Sequence, residues 1–218
     1  MSNKRTGTYG EYYGSYYSES EALTTSQMKV NATYIYKYLT NKGWTKNAVA
    51  GLLGNMQAES SINPGRWQSE AVGSTSLGYG LVQWTPATKY LEWCNSKGYS
   101  DPSEMDNNLS RIIYELENGI QWIETSEYNL SFEEFSKSTK SVSYLASAFL
   151  KCYERAGVEV EATRQANATS WLEYLNGVDV GGSGSGDSGG SSGGSVTFKK
   201  RKQKFKFYLF KRRYRINA

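Results

Sequence analysis

The stretch Gly51-Leu-Leu-Gly-Asn-Met-Gln-Ala-Glu-Ser60 decides how the rest of the chain is read. Val49, Leu52, Leu53 and Met56 step along one apolar stripe behind Thr45, a cap-forming residue, so the spacing predicts a helix. At about 100° per residue, Glu59 falls about 20° from Leu52 and about 60° from Met56 on the helical wheel. It therefore lies on the apolar face, close to the end that Asn63-Pro64 is expected to impose. A carboxyl held there is shielded from water, which favours its protonated form. The partial negative charge of a helix C-terminus acts in the same direction. A frayed last turn, with Glu59 in solvent or paired with Lys or Arg, is the plainer reading of the same spacing. Gly51 and Gly54 weaken the helix by about 1 kcal/mol each against Ala, so another element is expected to cross closely at them.

Similar stripes extend outward in both directions. Met28, Ala32, Ile35, Tyr36 and Leu39 predict a helix before Gly43. Thr85 and Pro86 read as the N-cap and first residue of a helix through Ala87, Leu91 and Cys94 to Gly98. Met105, Leu109, Ile112, Ile113 and Leu116 mark another, ending near Gly119. Ser131 with Glu134 forms a capping box for a short helix. Leu145, Ala148, Phe149 and Cys152 follow, ending near Gly157, and Ala168, Leu172 and Leu175 mark the last helix. Between Pro64 and Trp84 the periodicity gives way to Gly, Ser, Thr and aromatics, which predicts loops or a small hairpin. The fold class is mainly α: a single domain over residues 25–177, with a small irregular or β insertion after the helix bearing Glu59.

Composition limits the chemistry. None of the 218 residues is His, which removes Ser-His-Asp and Cys-His catalysis, His-ligated zinc and the commonest proton shuttle at neutral pH. Acid–base work falls to a carboxylate, Tyr, Lys or Cys, and no metal or cofactor is expected. Cys94 and Cys152 sit at apolar positions of predicted helices without metal-ligand spacing. Buried reduced thiols are expected, with a bridge between them as the other option. The 18 Tyr and 6 Trp suit sugar rings, whose C–H faces stack on aromatics, and equally suit a core.

Three flanking segments stand apart. Residues 1–24 are rich in Tyr, Ser and Gly and read as a flexible or partner-bound arm. They lack the apolar core of a secretory signal, and no later stretch is long and apolar enough to span a membrane. Residues 181–195 contain only Gly, Ser and one Asp, a flexible linker. The tail 196–218 holds ten of the 25 Lys+Arg and no acid; the remaining 15 basic and 21 acidic residues leave a body near −6 beside a tail near +10. In the tail Phe198, Phe205, Phe207, Leu209 and Phe210 alternate with basic residues, which suits salt-sensitive binding to a polyanion or a strand added to a partner's sheet. No motif supports specific nucleic-acid binding.

The run Gly54-Asn-Met-Gln-Ala-Glu-Ser60 with Asn63-Pro64 resembles the motif of the catalytic Glu in goose-type lysozymes and soluble lytic transglycosylases. A second motif of that superfamily, Gly followed shortly by Gln, is similar to Gly78-Tyr-Gly-Leu-Val-Gln83-Trp-Thr-Pro86. A third, a Tyr late in a helix, is similar to Tyr153 in Lys151-Cys-Tyr-Glu154. From about Ser26 to Leu175 the chain most resembles phage tail lysozymes, the lysozyme domain of tail-knob morphogenesis proteins of small Bacillus podoviruses. Met28-Lys-Val-Asn31, Gly43-Trp-Thr-Lys46 and Leu81-Val-Gln-Trp-Thr-Pro86 carry that likeness in order and spacing.

The resemblance implies a lysozyme-like fold and a muramidase cutting peptidoglycan between N-acetylmuramic acid and N-acetylglucosamine. Glu59 would be the proton donor and Tyr153 would hydrogen-bond near it. Gln83 would bind an N-acetyl sugar, Ser60 would support Glu59 or touch substrate, and Tyr79 and Trp84 would stack on sugars. Two-carboxylate glycosidases need a second acid, and between Glu59 and Gln83 only Glu70 is available. Single-carboxylate chemistry then leaves water attack or internal attack by the muramyl 6-hydroxyl, with hydrolysis favoured by the phage likeness. The relatives carry a further metallopeptidase domain; with no His here, zinc-dependent crosslink cleavage is not expected. The implied setting is a virion tail tip acting on the host wall for genome entry, after synthesis in the host cytoplasm. Tail-knob proteins would be met through the N-terminal arm or basic tail, and wall polyanions such as teichoic acid through residues 196–218. A lytic transglycosylase, a free lysis endolysin and a non-catalytic glycan-binding tail protein are the alternatives.

Overall fold

The computed structural model describes residues 3–155 and 160–179, so the linker, the basic tail and Gly157 lie outside the described residues. Seven α-helices are present among the described residues: α1 Thr25–Asn41, α2 Lys46–Ser60, α3 Thr88–Ser96, α4 Met105–Glu117, α5 Phe132–Lys137, α6 Val142–Phe149 and α7 Glu161–Asn176. The mainly α architecture follows the sequence periodicity, and no helix among the described residues is long and apolar enough to cross a membrane.

α2 is the central helix because almost all of it is apolar or small. Val49, Leu52, Leu53 and Met56 are fully buried, and Thr45 caps the start by accepting from the Ala48 amide at 3.1 Å. The two glycines mark where α6 and α7 cross it. A Cβ on Gly51 would stand 3.0 Å from the Leu145 Cβ, and one on Gly54 only 2.5 Å from the Arg164 carbonyl oxygen. Asn55 ties the three helices together. Its Nδ2 donates to the carbonyls of Gly51 and Ala146, both at 3.0 Å, and its Oδ1 accepts from Arg164 at 3.1 Å. The helix stops one turn before Asn63-Pro64, because Ser61 and Ile62 both adopt left-handed φ, 54° and 55°.

The other helices follow their patterns with local departures. α1 buries all five stripe residues and opens with a Thr24–Gln27 capping box, and the Ser131–Glu134 box opens α5. α3 starts at Thr88 instead of Pro86: the Thr85 hydroxyl donates to the Gln83 carbonyl at 2.9 Å and does not cap. In α7 Trp171 takes the buried place expected of Leu172, with its indole N–H on Gln57 Oε1 at 2.8 Å. α6 runs on into a π-turn, Leu150–Glu154, closed by the Arg155 amide on the Leu150 carbonyl at 2.7 Å. Cys94 and Cys152 are free, buried thiols; burial pushes the Cys94 thiol up to about 11.

The largest departure lies at the N-terminus. The expected arm is a two-stranded antiparallel hairpin, β1 Asn3–Gly7 and β2 Gly10–Gly14, seated on the helices. Tyr12 is buried with its ring edge-on to Tyr34 at 5.5 Å. Arg5 reaches Asp101 at 2.6 Å and Glu104 at 3.0 Å. Asn63 fastens the hairpin's exit to the end of α2, donating to Ser15 Oγ at 2.9 Å and the Glu21 carbonyl at 2.7 Å. Tyrosines expected in a flexible or partner-bound arm are therefore partly core, for the alternation that buries Tyr12 and Gly14 is too short to register as a strand.

The insertion between α2 and α3 is mostly irregular. It holds two isolated β-bridges, Trp67 with Tyr79 and Tyr79 with Trp84, and a 3-10 turn at Gln68–Glu70. Gly80 has φ 84°, and a Cβ there would lie 2.7 Å from Asn108 Oδ1, so the turn requires glycine.

Candidate active site

The end of α2, the insertion and the π-turn enclose a cleft of about 380 Å³ whose walls include Glu59, Gln83, Trp84, Tyr153 and Glu154. Four residues expected from sequence thus converge on one cavity from three elements.

Glu59 sits in the last turn of α2 with 19% of its side chain exposed. Its shelter differs from the one expected. The carboxylate forms a 2.6 Å ion pair with Arg164 Nη2, from α7, in place of a purely apolar surround. The glycine-permitted closeness of α2 and α7 brings the guanidinium there, and Asn55 holds its other arm.

Gln83 lines the cleft in a left-handed conformation, φ 49°. Its Nε2 donates to the carbonyls of Arg66 at 3.0 Å and Gly80 at 2.9 Å, which fixes the amide plane. Trp84 also lines the cleft, but it is nearly buried and stacks on Tyr90 at 4.5 Å, leaving little of its face for a sugar. Tyr153 lines the cleft but is nearly buried, its ring stacked on Phe149 at 4.4 Å, and its hydroxyl donates to Glu115 Oε2 and not to Glu59.

Two expected residues stand away from the cavity. Ser60 is buried and donates to the carbonyls of Met56 at 3.1 Å and Leu81 at 2.8 Å, which pins the insertion to α2. Tyr79 is fully buried against Trp67 at 4.5 Å. Both lack the exposure that contact with substrate needs. Glu70, the alternative base, is exposed outside the cleft wall and faces Arg66 at 3.4 Å.

Beneath the cleft lies a network that sequence reading missed. Glu115 on α4 is 1% exposed and accepts from Trp84 Nε1 at 3.0 Å, from Arg111 Nε at 2.8 Å and from the Tyr153 hydroxyl. Burial holds its carboxyl above the usual range, against the pull of Tyr153 and Arg111. Glu115 stands three residues after Ile112, on the apolar stripe, and Arg164 stands four before Ala168 on another. Charged residues on those faces were the available signal.

Glu154 closes the π-turn. Its Oε1 is shut off from solvent and has no hydrogen-bond partner among the described residues. Burial, and next the negative charge of Glu59, hold its carboxyl well above the usual range; Arg164 and Arg155 pull it down and Glu115 pushes it up. A carboxyl with an enclosed oxygen, biased toward its protonated form, therefore shares this cleft with an ion-paired one, an arrangement suited to proton transfer at a bound polar substrate.

Comparison with known proteins places this cleft within a recognised family. Over 162 residues the chain is 50% identical to Morphogenesis protein 1 of Bacillus phage B103, a match covering 74% of this chain and 44% of that relative. The chain thus spans less than half the length of the relative it matches. The family model for phage tail lysozyme matches residues 30–175, from α1 to the end of α7 and including every wall of the cleft. The chain belongs to the phage tail lysozyme family.

Proposed function

We propose that the chain is a muramidase, cutting peptidoglycan glycan strands between N-acetylmuramic acid and N-acetylglucosamine. In this reading it acts from the virion tail to open the host wall for genome entry. The observation that carries it is the placing of Glu59, Gln83 and Tyr153 around one solvent-open cleft, within a chain of the phage tail lysozyme family.

Glu59 delivers a proton to the glycosidic oxygen as the bond to the muramyl C1 breaks. Water then adds to C1, and a proton of that water returns to the site. Arg164 holds the Glu59 carboxyl at the cleft wall. The Gln83 amide donates its N–H groups to backbone carbonyls, which leaves its oxygen to accept from an N-acetyl N–H. The name of the phage B103 relative, a morphogenesis protein, fits an assembled virion component. Because the hairpin is spent on the domain's own helices, contact with other tail proteins falls to the basic tail.

Glu59→Gln is expected to lower peptidoglycan clearance by about 10²–10⁴-fold. Mass spectrometry of the wild-type products is expected to find reducing muramyl ends; ends lighter by one water would make the enzyme a transglycosylase. Virions carrying Glu59→Gln that infect walled cells normally would leave only a non-catalytic tail role.

A further inference from the structure

A carboxyl group that nothing can hydrogen-bond is costly to ionise, and one beside another carboxylate more so. Both conditions meet at Glu154. Its Oε1 is enclosed and unpartnered among the described residues, and it lines the same cleft as Glu59. The charged groups that act on it are Glu59 on α2, Arg164 on α7, Glu115 on α4 and Arg155 at the end of its own turn. Two of these are already engaged. Arg164 is bound to Glu59 at 2.6 Å and to Asn55 at 3.1 Å, while Arg155 donates to the Gln121 carbonyl at 2.6 Å. Neither guanidinium makes a hydrogen bond to Glu154 Oε1, and the Arg164 charge is paired with Glu59.

We propose that Glu59 and Glu154 form a carboxyl dyad holding one proton between them, stored on Glu154 in the free enzyme and delivered through Glu59 to the substrate. The proposal rests on the glycan-cleaving reading of the cleft and deepens it. In the free enzyme Glu154 is the acid and Glu59 the carboxylate. The Glu154 proton passes to the Glu59 carboxylate, leaving Glu154 as the anion. Glu59 then protonates the glycosidic oxygen, which leaves with the bonding pair from C1. Water adds to C1 and gives its proton back to the dyad, so one water is consumed and the single shared proton is restored. Glu154 acts through Glu59 and is in this sense a positioning residue for the proton. Environments that drive two carboxyls apart are a general route to such a division of labour, and the pair titrates as a unit.

The test is the pH profile of peptidoglycan cleavage by the full chain and by Glu154→Gln, which keeps shape but cannot release a proton. The dyad predicts that wild-type activity extends above the ordinary carboxyl range. The variant is expected to lose tenfold or more at neutral pH and to recover much of this on acidification, its alkaline limb moving down by about one pH unit or more. A variant with the wild-type profile overturns the proposal, and so does one impaired equally at every pH. Should Glu154→Gln not fold, carbon NMR of the glutamate-labelled wild type decides. One glutamate carboxyl is expected to stay protonated toward neutral pH and to titrate lower in Glu59→Gln; no such carboxyl overturns the proposal. If Glu59→Gln still clears peptidoglycan, the cleaving role of Glu59 falls, while the NMR readout still reports whether the proton is shared.

Discussion

At the scale of single residues, Glu115 is the charge on which the cleft floor rests. Its carboxyl is raised above the usual range, so the stability it contributes is complete below the unfolded value of 4.5 and is lost as pH rises through the folded value. The Tyr153 hydroxyl opposes that rise. Tyr153→Phe is therefore expected to cost about 1–3 kcal/mol at neutral pH and clearly less near pH 4, as measured by denaturant unfolding at both. An equal loss at the two pH values would show that the hydroxyl does not serve the ionised Glu115. The family resemblance grouped Glu59, Gln83 and Tyr153 as members of one site, each in a short motif, and all three line one cleft. The sequence could not show Glu115, Arg164 or the environment of Glu154. Those depend on which faces meet when α2, α4 and α7 pack, and a charged residue on an apolar stripe is as easily read as a flaw in the stripe. Ser60, expected to support Glu59 or touch substrate, is turned about 100° from Glu59 by its adjacency along the helix and meets the Leu81 carbonyl instead.

At the scale of elements, the close approach of α2 to α7 sets the distance between Glu59 and Arg164. Gly54→Ala would push a methyl to 2.5 Å from the Arg164 carbonyl oxygen and 2.7 Å from the Ala168 Cβ. The helices must part, at an expected cost of about 1–3 kcal/mol. Calorimetry should register this together with a loss of cleavage larger than that of a surface change in α7 such as Thr169→Ala. The helices were legible in the sequence because their stripes are long and regular. The hairpin and the π-turn were not. Five-residue strands with three glycines between them carry almost no periodic signal, and a π-turn inserts one residue that no helical wheel anticipates. Tyr12→Ala tests the hairpin. It is expected to cost about 3–5 kcal/mol, as for other large buried aromatics, whereas a free arm would tolerate it without change in melting temperature.

For the whole molecule, the uneven spread of charge is the feature with the longest reach. The body carries 15 basic and 21 acidic residues and the tail ten basic ones, so under the proposed function attraction to a polyanion is expected at 196–218. A chain ending at residue 179 is expected to lose salt-sensitive binding to teichoic-acid-bearing walls, measured by cosedimentation over a salt series, yet to keep cleaving glycan freed of teichoic acid. Unaltered binding by the shortened chain would move the anchor into the folded body. The N-terminal hairpin has a further consequence for how the molecule comes into being. Arg5 meets its partner Asp101 96 residues later, and Tyr34 meets Asp106 72 residues later. The hairpin can settle on α1, which follows it directly and covers Tyr12 through Tyr34, but a nascent chain stalled before residue 101 must leave Arg5 and Tyr34 without their acidic partners.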